Sequence, residues 1–214
     1  MVQSVTRFSA VLDESSALAF HDSVLWSLND SGNDPVLFGL SESGELLAKV
    51  TVLNSRNTDW ESLAQDEDYL YIADTGNNLN SRSEFSIYRV PIPTLEQDSV
   101  NADVITLRYA DYKSGHRGSH NFDSEALAVR GSELWLFTKN RGDGNSNLYR
   151  LPKLPGTYRV ARAQTLAVGS LVTAADINPE TGELILLSYG GAGFGGGARL
   201  WWAPTSDAGV DWDN

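Results

Sequence analysis

Two short acidic motifs with the same spacing are the residues of this chain best suited to do chemistry. Asp59 and Glu61 are separated by one residue, and so are Asp123 and Glu125. Alternate residues of a β-strand point to the same face, so each motif presents two carboxylates side by side. Carboxylates held close together repel each other unless a cation or a proton relieves the repulsion. The motifs therefore predict a cation site or a pair of acid–base groups.

The chain after the first motif predicts a third acidic partner. A strand, a tight acidic turn and a second strand, Tyr69 to Ala73, are expected to follow, and the second strand ends at Asp74. Such a turn brings the start of the first strand beside the end of the second. Oxygen ligands of this kind suit Ca²⁺ better than a transition metal. The predicted calcium ligands are Asp59, Glu61, Asp74, Asp123 and Glu125.

A second interpretation assigns these side chains to structural contacts. Asp and Asn side chains in turns commonly accept hydrogen bonds from backbone N–H groups. Lys139 follows Thr138, which takes the place of Asp74 in its own repeat, and from there it could neutralise Glu125 directly. Part of the acidic cluster would then be an ion-pair network rather than a metal site.

Catalysis by the same acidic cluster is a third interpretation. His116 and His120 lie in the loop that leads into Asp123, where a histidine could act as a general base or a ligand. Exposed loop histidines are also common without any such role, and the sequence contains no recognisable nucleophile–base set. If the protein is an enzyme, the predicted catalytic residues are Glu61, Glu125, His120 and Lys139.

The elements that carry these motifs are short strands that recur in the same order. Apolar residues alternate with a period near two, which is typical of strands. The segments 16–19, 61–64 and 125–128 are alike, and each is followed by a Leu–aromatic pair, whose aromatic residue is expected to pack between repeats. Repeats of about 45 to 64 residues with four strands each are typical of propeller blades.

The chain is therefore predicted to be one all-β domain over residues 1–214, a β-propeller with four recognisable four-stranded blades. A sandwich of two sheets is the structural alternative. The blades are expected at about residues 13–54, 57–111, 121–169 and 170–204. An N-terminal strand at 4–12 is expected to close the last blade by pairing at its outer edge. Alternatively, the chain is truncated from a five- or six-bladed ring.

The amino-acid composition limits the classes of binding partner that we expect. The chain has 16 Lys and Arg against 28 Asp and Glu, a net charge of −12, and no cysteine. Such an acidic surface repels phosphate backbones and anionic lipid, so neither nucleic acid nor membrane insertion is expected. Residues 191–196 match a G-x-G-x-x-G pattern but precede a predicted strand instead of a helix, so no nucleotide or organic cofactor is expected.

Several ordered motifs carry a resemblance to a known group of proteins. They are Leu28–Asn33, Asp59–Glu61, Tyr71–Asn78 with Ile87–Pro91, His120–Leu127, and Leu136–Asn140. Together they resemble exported bacterial β-propellers related to the phytase-like and TolB-like propeller families. The resemblance implies a propeller located in the extracellular space or the periplasm after removal of a signal peptide, and a further blade after the end of this sequence. It does not imply a settled activity.

The leading functional prediction is binding rather than catalysis. We expect an exported, non-catalytic propeller that binds a small-molecule, glycan or protein ligand at an acidic rim, with structural Ca²⁺. The first alternative is a metal-dependent hydrolase of the phytase-like phosphoesterase or lactonase type, in which a rim cation activates water. The second alternative is a structural module of a larger surface protein.

Overall fold

The strands of the chain form four sheets arranged as a four-bladed β-propeller. The computed structural model describes residues 6–113, 120–190 and 197–212, and eighteen strands lie in these ranges. The predicted all-β fold with four blades is confirmed. A short 3₁₀ helix, Ala10–Leu12, precedes the first strand. The described residues include no helix that could cross a membrane.

Each blade is built from an innermost strand and three strands that follow it outward. Blade 1 contains β1 (Ser15–His21), β2 (Val24–Asn29), β3 (Val36–Leu40) and β4 (Leu46–Leu53). Blade 2 contains β5 (Trp60–Gln65), β6 (Tyr69–Asp74), β7 (Phe85–Pro91) and β9 (Asp103–Tyr109). Blade 3 contains β10 (Ser124–Arg130), β11 (Glu133–Thr138), β12 (Ser146–Pro152) and β14 (Arg162–Leu166). Blade 4 contains β15 (Leu171–Ile177), β16 (Glu183–Tyr189), β17 (Ala198–Ser206) and β18 (Gly209–Val210).

Apolar layers between neighbouring sheets hold the blades together. Because successive strand residues point to opposite faces, β11 sends Leu134 towards blade 2 and Trp135 towards blade 4. The repeated aromatic residues Trp26, Tyr71 and Trp135 lie in the layers between blades 1 and 2, 2 and 3, and 3 and 4, respectively. This confirms that they pack between repeats. Burying one such side chain contributes about 1.5–3 kcal/mol.

Two short strands that follow the start of blades 2 and 3 in the chain pair with the outer edge of the preceding blade. The short strand β8 (Ser99–Asn101) pairs in parallel with β4, and β13 (Gly156–Val160) pairs in parallel with β9. The two short strands β13 and β14 (Arg162–Leu166) follow each other in the chain but therefore belong to the sheets of blades 2 and 3, respectively. Between blades 3 and 4 the side-chain amide of Gln164 donates to and accepts from the backbone of Val210. These contacts cover outer edges that would otherwise be unpaired.

The N-terminal segment does not close the last blade, so that prediction is wrong for residues 6–12. They form no strand, and Leu12 packs with Phe8 and Val11 against Phe38 and Leu40 of blade 1. Their alternating apolar side chains cover a sheet face instead of extending a sheet edge. The outer strand of blade 4 is β18, which comes from the C-terminal segment.

Blades 1 and 4 meet differently from the other neighbours. No apolar layer joins them within the described residues, and large side chains on both sides stay exposed. Leu18 of β1 is 51% exposed, and Ile185 and Leu187 of β16 are each 37% exposed. An open groove of about 340 Å³ lies between the two blades.

Candidate functional site

A β-bulge at the start of each innermost strand positions the candidate site. The strand pairing shifts by one residue at Ser16 in blade 1, Glu61 in blade 2, Glu125 in blade 3 and Thr173 in blade 4. A bulge leaves one residue unpaired and re-aims its side chain. All four of these residues line the same cavity at the propeller axis. Glu61 and Glu125 are thus brought together by equivalent positions in neighbouring blades.

The axial cavity has a volume of about 410 Å³, within the range of small-molecule sites. Its remaining wall is formed by polar side chains from turns at the same rim and by residues of blade 4. They are Asp30, Asn78, Lys139, Ala174, Leu187 and Tyr189. Acidic side chains of blades 1, 2 and 3 therefore line the cavity, and Lys139 lines it beside Glu125.

The carboxylates of blade 3 are neutralised by cationic side chains. The Lys139 Nζ atom lies 2.6 Å from Glu125 Oε1, as the sequence interpretation of an ion pair predicts. Asp123 accepts a hydrogen bond of 2.8 Å from the Asn77 backbone N–H, and its second oxygen lies 3.0 Å from the Arg141 guanidinium. Burial raises the pKa of Glu125, and the nearby Lys139 opposes that rise.

Glu61 of blade 2 has no such cationic partner among the described residues. Glu61 is only 7% exposed, and among the described residues its side chain has no hydrogen bond and no ion pair. Burial raises the pKa of Glu61 strongly, and the negative charges of Glu125 and Asp30 raise it further. Burial and the charge of Asp30 raise the pKa of Asp59 to about 6.

Within the described ranges, two groups of three acids could each hold a cation, and Glu61 belongs to both. One oxygen each of Asp30, Asp59 and Glu61 lies within 4.8 Å of the other two, and the same holds for Glu61, Asp123 and Glu125. In the second group Asp123 and Glu125 already contact Arg141 and Lys139. In the first group Asp30 accepts the Ser31 N–H, but no ion pair with a lysine or arginine engages its three acids within the described residues, so it is the better candidate.

Because Gly76 has no side chain, the carboxylates of Asp59 and Glu61 can lie against its backbone. A Cβ atom at this position would lie 2.3 Å from Asp59 Oδ2 and 2.4 Å from Glu61 Oε1. Real Cβ contacts of that length do not occur, so any side chain here would displace the two carboxylates. The Gly76 backbone N–H also donates to the Asp59 carbonyl at 3.2 Å.

The other predicted site residues make structural contacts. Asp74 accepts the Asp59 backbone N–H at 3.0 Å and lies 2.8 Å from the Arg82 guanidinium, and it belongs to neither group of three acids. His120 is buried; its Nδ1 accepts the Phe122 N–H at 3.3 Å, and its Nε2 lies 3.4 Å from the Asn78 carbonyl. His116 and residues 191–196 lie outside the described ranges.

Some residues of the site are not evident from the sequence. Arg141 comes from the turn after β11, and its contacts with Asp123 and Glu125 do not repeat between blades. Thr173 occupies the position of Glu61 in blade 4, a correspondence that aligning the four repeats could have revealed. No comparable signal marks the contact of Arg141 with Asp123.

Comparisons with known proteins support the fold alone. No protein-family model matches the chain, and no curated protein matches it. The chain is similar in structure to Kuenenia stuttgartiensis hydrazine synthase, with 12% identity and a TM-score of 0.52, over 100% of this chain and 71% of that chain. It is also similar to Myxococcus xanthus glutaminyl cyclase, with 11% identity and a TM-score of 0.47, over 88% of this chain and 73% of that chain. The computationally designed Ika4 protein shows 16% identity and a TM-score of 0.42, over 94% of this chain and 99% of that chain.

Proposed function

We propose that the protein is a ligand-binding propeller whose axial cavity binds a cation through Asp30, Asp59 and Glu61. The observation that supports this most strongly is the state of Glu61, a carboxylate that is buried and unpartnered among the described residues, with two further acids nearby. A buried charge without a partner is costly, and a bound cation would remove that cost.

Ca²⁺ is the metal ion that best suits this set of ligands. Ca²⁺ takes 6–8 oxygen ligands and tolerates irregular geometry, whereas transition metals favour imidazole or thiolate ligands. Three carboxylates supply up to six oxygens, and the cavity has room for water to complete the shell. Neither of the two acidic groups includes a histidine, and the chain has no cysteine.

The experiment is a thermal melt of the wild-type protein in EDTA and in increasing Ca²⁺. Stabilisation that saturates with a Kd on the order of 10⁻⁴–10⁻³ M is expected, as for extracellular Ca²⁺ modules. Glu61→Gln should abolish the shift, whereas Glu67→Gln, in the exposed turn between β5 and β6, should retain it. An equal Ca²⁺ shift in wild type and Glu61→Gln, or no shift at all, would refute the proposal.

A metal-dependent hydrolase is the second candidate, and the second group of acids beside the proposed cation site favours it. A bound cation would polarise the substrate and activate water, and a carboxyl group of the cluster that does not bind the cation would transfer the proton. Lys139 and His120 do not enter this mechanism, because both are held by structural contacts. Ca²⁺-dependent turnover of esters, lactones or phosphoesters that Glu61→Gln abolishes would establish the hydrolase; its absence would leave binding as the function.

A further inference from the structure

The axial cavity adjoins the open groove between blades 1 and 4. Ser16, Ala174 and Leu187 line both spaces. The cavity measures about 410 Å³ and the groove about 340 Å³, so together they could hold a molecule larger than a metal ion.

The two spaces have complementary chemistry. The cavity contains Glu61, which is buried and has no hydrogen-bond or ion-pair partner among the described residues. The groove walls are mainly apolar, with Leu18 on one side and Ile185 and Leu187 on the other. Among the described residues, Asp176 is the one ionisable residue that lines the groove, and no basic residue does.

We infer that the cavity and the groove form one site for an amphipathic organic cation, with its ammonium group at Glu61 and its apolar chain along Leu18, Ile185 and Leu187. This inference rests on the proposed cation-binding function and names the class of ligand. An ammonium group gives the acidic cluster a positive charge and hydrogen-bond donors. An apolar chain covers side chains that are otherwise exposed between two blades.

The order of the residues along β15 fits this orientation of the ligand. Thr173 lines the acidic cavity, and Ala175 and Asp176 line the groove further along β15. An extended strand rises about 3.3 Å per residue, so the apolar chain would run about 10 Å along the axis. Asp176 is the last residue of β15 that lines the groove, and apolar side chains continue beyond it at Phe20 and Leu25.

The test is a calorimetric titration with n-alkylammonium chlorides, from methylammonium to octylammonium, near neutral pH without Ca²⁺. Each added methylene should lower Kd about fourfold until the chain reaches the end of the groove. Glu61→Gln should weaken the binding of every member of the series. Ca²⁺ should compete with each of them, because it uses the same carboxylates.

Variants separate the groove from the cavity. The Leu18→Thr/Ile185→Thr double variant replaces both apolar side chains with threonine, which is β-branched and suits a strand. It should retain methylammonium binding and lose the dependence of Kd on chain length. Leu46→Thr, on the outer strand of blade 1, removes a similarly exposed leucine away from the groove and should behave like wild type. Melting curves of all variants confirm that they are folded.

The outcomes distinguish the inference from the proposed function. If Glu61-dependent cation binding is present but independent of chain length, the groove inference is wrong and the proposed function stands. A chain-length dependence that persists in the double variant shows adsorption elsewhere, and this also overturns the inference. If neither Ca²⁺ nor any alkylammonium ion binds, the proposed function itself fails.

Discussion

The Asp59–Glu61 and Asp123–Glu125 motifs occupy equivalent places in neighbouring blades but have opposite electrostatic surroundings. Both glutamates are bulged residues at the start of an innermost strand, and both face the axial cavity. Lys139 and Arg141 contact the blade 3 motif, whereas no cationic side chain contacts Glu61 in the described part of the chain. One repeated pattern thus supplies a structural ion pair in blade 3 and an unrelieved carboxylate in blade 2.

The difference arises from the strand ends that follow each motif. Asp74 ends β6 in blade 2 and takes Arg82 as its partner, so that arginine is held by Asp74. In blade 3 the equivalent residue is Thr138, and the next residue, Lys139, is free to reach Glu125. Equivalent backbone positions therefore do not guarantee equivalent chemistry, because one neighbouring side chain decides whether a carboxylate is satisfied.

The largest expected effect is that of Glu125→Gln on stability. This substitution leaves the buried ammonium group of Lys139, whose side chain is 6% exposed, without its counter-ion. Removing one partner of a buried ion pair costs about 3–5 kcal/mol. Urea unfolding measures the loss. Glu84→Gln, which breaks the exposed pair with Arg108, is the control and should change stability by less than about 1 kcal/mol. Equal stability of wild type and Glu125→Gln would contradict the assignment of Glu125 to an ion pair.

Gly76→Ala should have the next largest effect. The added methyl group would overlap Asp59 and Glu61, so the two side chains or the backbone must move. Overpacking of this kind costs about 1–3 kcal/mol. The variant should also lose its response to Ca²⁺, which thermal melts with and without the ion can measure. Ser83→Ala, at an exposed position nearby, is the control. A Ca²⁺ response of wild-type size in Gly76→Ala would show that the carboxylates are not part of the site.

Glu61→Gln should act in the opposite direction and stabilise the protein. The folded-state pKa of Glu61 lies above its ordinary value of 4.5. As pH rises above that value the unfolded chain loses this proton first, so the Glu61 contribution to the free energy of unfolding falls. Glutamine does not ionise, so the variant does not lose this stability. Its free energy of unfolding should equal that of wild type near pH 4 and exceed it by about 1 kcal/mol or more near pH 8. Urea unfolding across this range in EDTA tests the sign; a less stable Gln variant near pH 8 would contradict it.

Asp30→Asn should have the smallest effect of the four. Asp30 is half-buried and raises the pKa values of both Asp59 and Glu61, so its neutralisation should stabilise the protein by about 0.5 kcal/mol. The same variant should bind Ca²⁺ more weakly, because it loses one of three carboxylates. Asp34→Asn, at an exposed position in the same turn, should change neither property. Unchanged Ca²⁺ affinity in Asp30→Asn would remove Asp30 from the site.

Repeats make the fold and the centre of the site predictable from the sequence. The matched segments that begin at Ser16, Glu61 and Glu125 become matched innermost strands, and this places Glu61 beside Glu125. The pairing of Lys139 with Glu125 is also predictable, because Lys139 follows directly the residue equivalent to Asp74. Each of these inferences uses only the position of a residue within its repeat.

Contacts that occur in one blade alone cannot be predicted from the position of a residue within its repeat. The alternating apolar residues of the N-terminal segment fit an edge strand equally well as a cover for Phe38 and Leu40, and only tertiary packing decides between them. The separate pairing of β13 with blade 2 depends on a parallel contact across a blade boundary. Arg141 contacts Asp123 from a turn whose equivalents in the described part of the chain place no arginine at this position. Sequence patterns describe a blade well but not the contacts that are particular to one turn.

The most direct test of the difference between the two motifs is a carboxyl-carbon NMR titration of both glutamates, in EDTA and then in Ca²⁺. We predict that Glu61 titrates above Glu125 in EDTA, because Lys139 and Arg141 favour the ionised form of Glu125 alone. Added Ca²⁺ should lower the pKa of Glu61 by more than that of Glu125, because Glu61 binds the ion directly and Glu125 lies beside it. A Ca²⁺ effect of equal size on both glutamates, or a Glu61 that titrates at or below Glu125, would contradict the account.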